Sequence, residues 1–534
     1  MKRVLFIAVL FILFFQVGGI AQSDNRWEMR SSWGDQRDGT YLNPIIPADY
    51  SDIDCIRVGD DYYAITSTFQ FSPGMTVIHS TDLVNWEICG HAVDDLTQIG
   101  PKLNWTQMDR YGRGIWAGTI RYHEGRFYVF FGTPDEGFFM TSAPRPEGPW
   151  EPLHQLMDEP GWDDCSVFWD EDGTACFVGT HFADNYKTYF FKMTPDGKTI
   201  DRSSAMLVNE GAGREASKLI KVGDWYYLIF SEHFSDKGRY VVARRAKSLW
   251  GPYSEIKQLA HPGREAKEPN QGGIVLGHDG NWYFLTHHGT GTWEGRVLSL
   301  LPVTWVDEWP IIGQVGLDGM GNMVWEGKIP GVNKLGNTLM TSDQFDGINI
   351  SKQWQWNYQP RTDMFSLEER PGWLRLKAFK PLRQNQLLSA GNTLTQRSYR
   401  SAGNEVIVKM DISAMTDGQK NGLCHFSKEH ASIGVAQADG IRRLEYRQND
   451  KVITGEIITT PTIWLKSVWG LDGKSHFSYS VDGKTFREYG DPYQLKWGNY
   501  RGDRIGLFCF NDDSESGVVD IDFLEYNVSD TPLR

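Results

Sequence analysis

The chain has 534 residues, a formal net charge of -14, 40% hydrophobic residues and 56 glycines. That length is too great for one ordinary core and predicts two or three domains. The acid excess argues against nucleic acid and anionic membrane surfaces as partners, while 21 Trp, 22 Tyr and 28 Phe beside so many glycines predict an all-β chain with tight turns.

The N-terminus reads "MKRVLFIAVLFILFFQVGGIAQSDN". Lys2 and Arg3 form a positive start, Val4 to Phe15 an apolar stretch, and Gly19 to Ala21 a small-residue cleavage site. This is the pattern of a secretory signal peptide over residues 1–21, too short for a comfortable membrane anchor. Cleavage would remove two positive charges and take the net charge from -14 to -16. No Cys follows the apolar stretch, so no lipid attachment is expected. Export is the expectation, with the periplasm as destination and no membrane anchor.

From residue 50 onward one pattern recurs: an apolar run, a Gly-containing turn, then an aromatic-rich strand. It appears as "VGDDYYAIT" from Val58, "HEGRFYVFF" from His123, "EDGTACFVG" from Glu171, "VGDWYYLIF" from Val222 and "HDGNWYFLT" from His278. The turn glycines, Gly59, Gly125, Gly173, Gly223 and Gly280, are spaced 48 to 66 residues apart. Each segment reads as a hairpin whose Gly supplies a positive φ, with room for two more strands before the next. Five such units predict a five-bladed β-propeller over residues 30–332. The six cysteines, at 55, 89, 165, 176, 424 and 509, form no C-x-x-C pair and read as buried thiols.

In a propeller the first strand of each blade lies nearest the axis. The residues that open it, seven to nine before each turn Gly, are Asp52, Trp116, Asp164, Glu215 and Gln271. Alone, each acid reads as a turn or strand cap. Three at equivalent positions predict one shared acidic pocket at the channel mouth, with Asp163 as the fallback for Asp164. Such a pocket suits glycosidic bond cleavage, in which one carboxyl protonates the leaving oxygen and another activates water from the opposite face. A third carboxylate raises the proton affinity of the acid by repulsion. Trp116 would stack on a sugar face. Calcium is the competing use of three carboxylates, but no D-x-D-x-D-G loop occurs. Ser-His-Asp chemistry has no G-x-S-x-G to support it.

At these residues the chain resembles glycoside hydrolase family 43, in particular its β-xylosidases and α-L-arabinofuranosidases, in "NPIIPADYSDIDCIRVGDDYYAITSTFQFSPGMTVIHSTDLVNWEICGHAV". The family's Y-P-D-P-S start becomes "YSDID", and the resemblance makes Asp52 the general base, with Asp54 where the family often has Ser. The family's D-P-S matches "DCS" and gives Asp164 as the residue that tunes and orients the acid. Its E-G-P matches "EASKLIKVGDWYYL" and gives Glu215 as general acid. "GIWAGTIRYHEGRFYV" places Trp116 in the sugar subsite, and "EGRV" offers Arg296 to the site. Phe69 and Phe71 of "STFQFSPGM" resemble the aromatic pair lining the first subsite. The chain departs from the family at Ile53 and Cys165, where Pro follows each Asp, at Ala117-Gly118 for Ala-Pro, and at Ala216-Ser217 for Gly-Pro. Gln271 stands where many members carry a channel His, often near a structural calcium; His287 and His288 lie near in sequence. No cofactor is required on this reading, and a channel calcium stays open.

Gly327 to Asn337 reads as a linker. Beyond it, "RPGWLRLKA", "NEVIVKMDI" and "SHFSYSVDGKTFREYG" alternate as strands of a two-sheet sandwich over 340–534. "DQFDGINISKQWQWNYQP" and "FSYSVDGKTF" resemble the concanavalin-like domain of family 43 β-xylosidases, in which a loop of this domain closes one side of the active site. Phe508 to Asn511, "FCFN", is the candidate loop. The combined expectation is an exo-acting, inverting hydrolase releasing non-reducing-end α-L-arabinofuranosyl residues from plant hemicellulose oligosaccharides of arabinoxylan or xyloglucan type. The alternatives are a β-D-xylosidase, or an enzyme with both activities, and a non-catalytic carbohydrate-binding protein.

Overall fold

Runs of aromatic and β-branched residues between turn glycines become short antiparallel strands, because such side chains pack well on a pleated, half-buried surface. The computed structural model describes residues 32–233, 238–262, 269–289, 292–336 and 339–532. The leader expected at 1–21 lies outside them. Among the described residues there is no α-helix, and so none long and apolar enough to cross a membrane.

Five sheets, each built on a four-stranded blade, follow the predicted hairpins; those of blades four and five carry two and one further strands. Blade one contains Asp54–Val58, Asp61–Thr66, Gly74–Ser80 and Trp86–Val93. Blade two contains Gly118–His123, Arg126–Thr133, Gly137–Ala143 and His154–Met157. Blade three runs from Trp162–Trp169 through Ala175–His181 and Lys187–Met193 to Ile200–Asn209. Blade four has Arg214–Val222, Trp225–Glu232, Tyr240–Ala246 and Lys257–Ala260. Blade five has Gly272–Leu276, Trp282–Gly289, Arg296–Val306 and Trp309–Ile312. All five turn glycines have positive φ, from +58° to +84°. The ring closes where Ile46–Asp49 pairs antiparallel with Arg296–Val306. It is tight there: a Cβ on Gly273 would lie 2.6 Å from the Cys55 nitrogen, so blades five and one meet backbone to backbone.

The second half is a sandwich of two antiparallel sheets. One has Gly403–Asp411 and Thr462–Trp469 at its centre, each alternating buried and half-buried residues as a one-sided core demands. The other has Gln419–Phe426 beside Arg504–Asn511, and its edge is completed by the propeller: Phe71–Ser72, from a blade-one loop, pairs with Gln355–Asn357. Further ties join the halves. Arg397 Nε donates to the Asp49 carbonyl at 2.6 Å, the Arg400 amide to the Pro47 carbonyl at 2.8 Å, and the Asp503 amide to the Trp293 carbonyl at 2.7 Å. All six cysteines are buried and free.

Gly295, at φ +79°, faces Gly502 of the sandwich so closely that a Cβ would overlap the Gly502 nitrogen and Asp49 Oδ1. Gly295→Ala therefore forces left-handed strain and overpacking together. We expect a loss of about 2–4 kcal/mol in a denaturant titration. A change below about 0.5 kcal/mol would mean that the two halves separate freely here.

Candidate active site

The innermost strands do not run straight into the channel mouth. The registers of blades three and four each slip, between Asp163 and Ser166 and between Glu215 and Lys218. At these bulges Asp164 has φ +48° and Ala216 φ +60°, while Asp52 in front of blade one has φ +56°. A bulge re-aims a side chain that would otherwise stay in the ladder, which is how Asp164 and Glu215 turn toward the pocket, while Asp52 turns in from the segment ahead of its strand. Asp tolerates the left-handed region better than most residues, so Asp52 and Asp164 suit it, whereas in blade four the cost falls on Ala216.

A cavity of about 230 Å³ lies at this point, lined by Asp52, Phe69, Trp116, Asp163, Asp164, Glu215, Gln271 and Arg296, among others. Seven of the eight residues expected from the sequence thus come together, Asp163 with them. Phe71 does not. It is fully buried outside the pocket, stacked under Arg501 at 4.4 Å and Arg504 at 4.2 Å, with the Phe426 ring at 6.4 Å. The cause is the backbone of Phe69, whose φ of +55° and paired hydrogen bonds with Ile115 turn the chain, so residues two apart no longer share a face. Phe71 therefore belongs to the interface with the sandwich, not to the pocket.

Each outer acid has its own cation. Arg296 Nη1 donates to Asp52 Oδ1 at 2.6 Å, and Arg239 Nη1 donates to Glu215 Oε1 at 2.8 Å. The Asp52 amide donates to His287 Nδ1 at 2.9 Å. That contact requires a lone pair on Nδ1, and burial with the nearby Arg296 and Arg239 charges holds the His287 ring well below its usual range, so it stays neutral. His288 instead bonds Ser299 at 2.8 Å and lies edge-on to Trp325.

Asp164 Oδ2 accepts from the Ala216 amide at 2.7 Å, and the Asp164 carbonyl accepts from Ser217 Oγ at 2.8 Å. Asp164 of blade three is thus tied to the two residues that follow Glu215 in blade four. Burial, then the charge of Glu215, pushes Asp164 above the usual carboxylate range. Burial and the adjacent Asp164 push Asp163 well above it. One oxygen of each, Asp163 Oδ1 and Asp164 Oδ1, is buried without a hydrogen-bond partner among the described residues. Two neighbouring buried carboxyls titrate as a pair and resist losing the second proton.

The sandwich supplies the roof. Tyr500 lines the cavity, its ring 5.6 Å from that of Trp116, with the Arg296 guanidinium 5.6 Å from it on another side. Asn499 and Tyr500 both have positive φ, +67° and +68°, in a tight loop between Gly498 and Gly502. Arg501 anchors that loop by donating to Tyr111 Oη at 2.7 Å. The expected loop at Phe508 to Asn511 is instead a buried strand: Phe508 and Phe510 pack with Leu387, Cys424 and Phe426. The sequence reading also missed Phe182, Tyr186, His233 and Arg239, which come from loops between strands with no repeat to mark them.

The chain matches the family model for glycosyl hydrolases family 43 over residues 41–310 and that for the beta xylosidase C-terminal concanavalin A-like domain over 342–527. It is 33% identical to a beta-xylosidase of Formosa agariphila, covering 93% of this chain and 92% of that protein. It is 26% identical to a non-reducing end alpha-L-arabinofuranosidase of Bacteroides ovatus, covering 92% and 95%. A solved structure described as a bifunctional GH43-CE protein of Bacteroides eggerthii superposes with a TM-score of 0.82 at 28% identity, over 91% of this chain and 64% of that one.

Proposed function

Given that the chain belongs to glycosyl hydrolases family 43, we propose that it is an exo-acting, inverting glycosidase that removes a terminal pentose from plant hemicellulose oligosaccharides. The observation that carries this reading is a roofed cavity of about 230 Å³ with Asp52, Asp164 and Glu215 on its walls. It lies below the range usual for drug-sized ligands, which fits one sugar ring at a chain end better than a polymer in a groove.

In this mechanism Glu215 gives its proton to the glycosidic oxygen as the bond to the anomeric carbon breaks. Asp52 takes a proton from a water that attacks that carbon from the opposite face, so one bond forms as one breaks and the configuration inverts. Arg296 orients Asp52, and His287 fixes its backbone. Asp164 orients Glu215 through the Ala216 amide and tunes its proton affinity. Trp116, Phe69 and Tyr500 supply apolar faces for the sugar ring, and Gln271 and Arg239 supply polar groups.

β-D-Xylose is the first choice of sugar. The Formosa agariphila relative bears the name beta-xylosidase, and the domain matched at 342–527 is a beta xylosidase one. The Bacteroides ovatus relative keeps α-L-arabinofuranose as the second reading. Purified protein on p-nitrophenyl β-D-xylopyranoside and α-L-arabinofuranoside tests both, and nitrophenol should appear faster from the xyloside. A faster arabinoside keeps the mechanism and changes the sugar. Failure on both nitrophenyl glycosides and on xylobiose would leave a carbohydrate-binding protein as the better reading.

A further inference from the structure

Two residues beyond Asp52, the chain places a second acid where the family often has Ser. Asp54 does not enter the pocket. It lies in the channel beneath, 2% exposed, and its Oδ2 accepts from Thr119 Oγ1 at 2.6 Å, Arg121 Nη1 at 2.8 Å and the Ile120 amide at 3.0 Å. Arg121 also reaches blade three, its Nε donating to the Val167 carbonyl at 2.8 Å and its Nη2 to Ser166 Oγ at 2.9 Å. From blade four comes Lys218, also 2% exposed, whose Nζ donates to the Gly118 carbonyl at 2.6 Å and the Cys165 carbonyl at 3.4 Å. Asp54, Arg121 and Lys218 also line a second cavity of about 320 Å³, which shares no lining residue with the active-site pocket.

The fold family raises the question of a divalent metal in this channel, and these residues do not fit one. A calcium ion needs six to eight oxygens within about 2.6 Å. Here the Asp54 Oδ2 and the two carbonyls already accept from a guanidinium and an ammonium, whose positive charges would repel the ion. The His287 Nδ1 is taken by the Asp52 amide. Gln271 replaces the family's channel His, and no group of three His, Cys, Asp or Glu side chains suited to a metal occurs among the described residues.

The charges form a pattern. Asp52 has Arg296 and Glu215 has Arg239, both at the pocket wall. Asp164 has no such partner among the described residues, but Lys218, three residues past Glu215 across the bulge, donates to the carbonyl of the residue next to Asp164, Cys165, at 3.4 Å. We propose that the ammonium of Lys218, tethered beside the Asp54–Arg121 pair, is the resident cation of this channel in place of a metal, and that it is a positioning residue for Asp164.

The electrostatics agree. Burial pushes Asp164 up, Glu215 adds to that, and Lys218 works against both. Burial also works against Asp54, yet Lys218, Arg121 and the Thr119 and Ile120 hydrogen bonds bring it below its usual range. Asp164 is faced by Asp163 on its own strand, by Glu215 and Lys218 from blade four, and by Asp52 from blade one. Behind these stand Arg239 and His233 on the Glu215 side and Arg296 and His287 on the Asp52 side. Removing the Lys218 charge from this set raises the proton affinity of every carboxylate it faces.

The test compares wild type, Lys218→Met and Asp54→Asn. Wild-type protein purified without chelator should carry no stoichiometric metal by elemental analysis, and EGTA or added calcium should leave its melting temperature unchanged. About one bound calcium per chain, or a melting point that follows calcium, overturns the proposal. These readouts need no turnover, so they stand even if the catalytic reading on which the rest depends fails. Lys218→Met should move both limbs of the pH profile of kcat/KM upward by about one unit. Asp54→Asn, which removes an anion, should move them the opposite way. A merely structural Lys218 would lower stability and leave the profile in place, which also overturns the proposal. If Lys218→Met does not fold, the direction of the Asp54→Asn shift decides.

Discussion

Glu215→Gln should lower kcat on xylobiose by about 10²–10⁴-fold, yet lose far less on a 2,4-dinitrophenyl xyloside. A dinitrophenolate departs without help from a proton, so only the substrate with a poor leaving group needs the acid. Gln keeps an oxygen for the Arg239 donor, so the local frame at 2.8 Å is disturbed little. Asp52→Asn should lose a comparable factor on both substrates, because water must be activated whatever leaves. Asn is the right replacement, since it tolerates the φ of +56° that Ala would strain, and it can still accept from Arg296. Equal losses of both variants on both substrates would remove the acid assignment from Glu215. Proton NMR of the first-formed sugar separates inversion from retention in the same experiment.

The positions of these acids were legible because the propeller repeats. Five turn glycines fix where each hairpin reverses, and counting back along the innermost strand reaches the channel mouth in every blade. What that count cannot supply is the bulge at Asp163–Ser166 or Glu215–Lys218, which decides whether an acid points into the pocket. The same limit explains the split between Phe69 and Phe71. A period of two predicts a shared face only while the backbone stays extended, and Phe69 leaves the extended region. Asp54 was visible as an anomaly, but its partners Arg121 and Lys218 sit on other blades with no spacing rule to join them.

The roof of the pocket was misplaced for a different reason. "FCFN" is not a loop: Phe508 and Phe510 occupy a central strand where apolar residues go inward. The sequence does carry the better signal, "GNYRGD", in which glycines bracket a Tyr and an Arg. Glycines around a large polar aromatic mark a tight loop that presents it, whereas aromatics at alternate positions mark a core.

Deleting the sandwich, by ending the chain at residue 336, should leave no soluble, active propeller. The sandwich is not attached by a tether alone. Phe71–Ser72 forms the edge of its eight-stranded sheet, and Gln355 Nε2 donates to the Pro73 carbonyl at 2.7 Å. The Arg397, Arg400 and Asp503 contacts add three more hydrogen bonds across the interface. Each contributes about 1 kcal/mol net when made, and more is lost where a buried partner is left unpaired. One apolar cluster runs through both halves, with Tyr41, Ile45 and Tyr50 in the same core as Trp354, Leu394 and Tyr526. A propeller alone would expose that surface and a bare strand edge, the conditions for aggregation. Size exclusion and circular dichroism of the fragment check this, and a monodisperse fragment with full kcat/KM would show that the propeller stands and works without the sandwich. Tyr500→Ala separates the roof from the scaffold: the fold should survive, because Arg501 and the strand pairings remain. Loss of one aromatic face over the sugar costs about 1–2 kcal/mol, so KM should rise roughly tenfold. Longer oligosaccharides should then gain on nitrophenyl glycosides as substrates, since the wall that confines binding to a chain end is the one this residue builds.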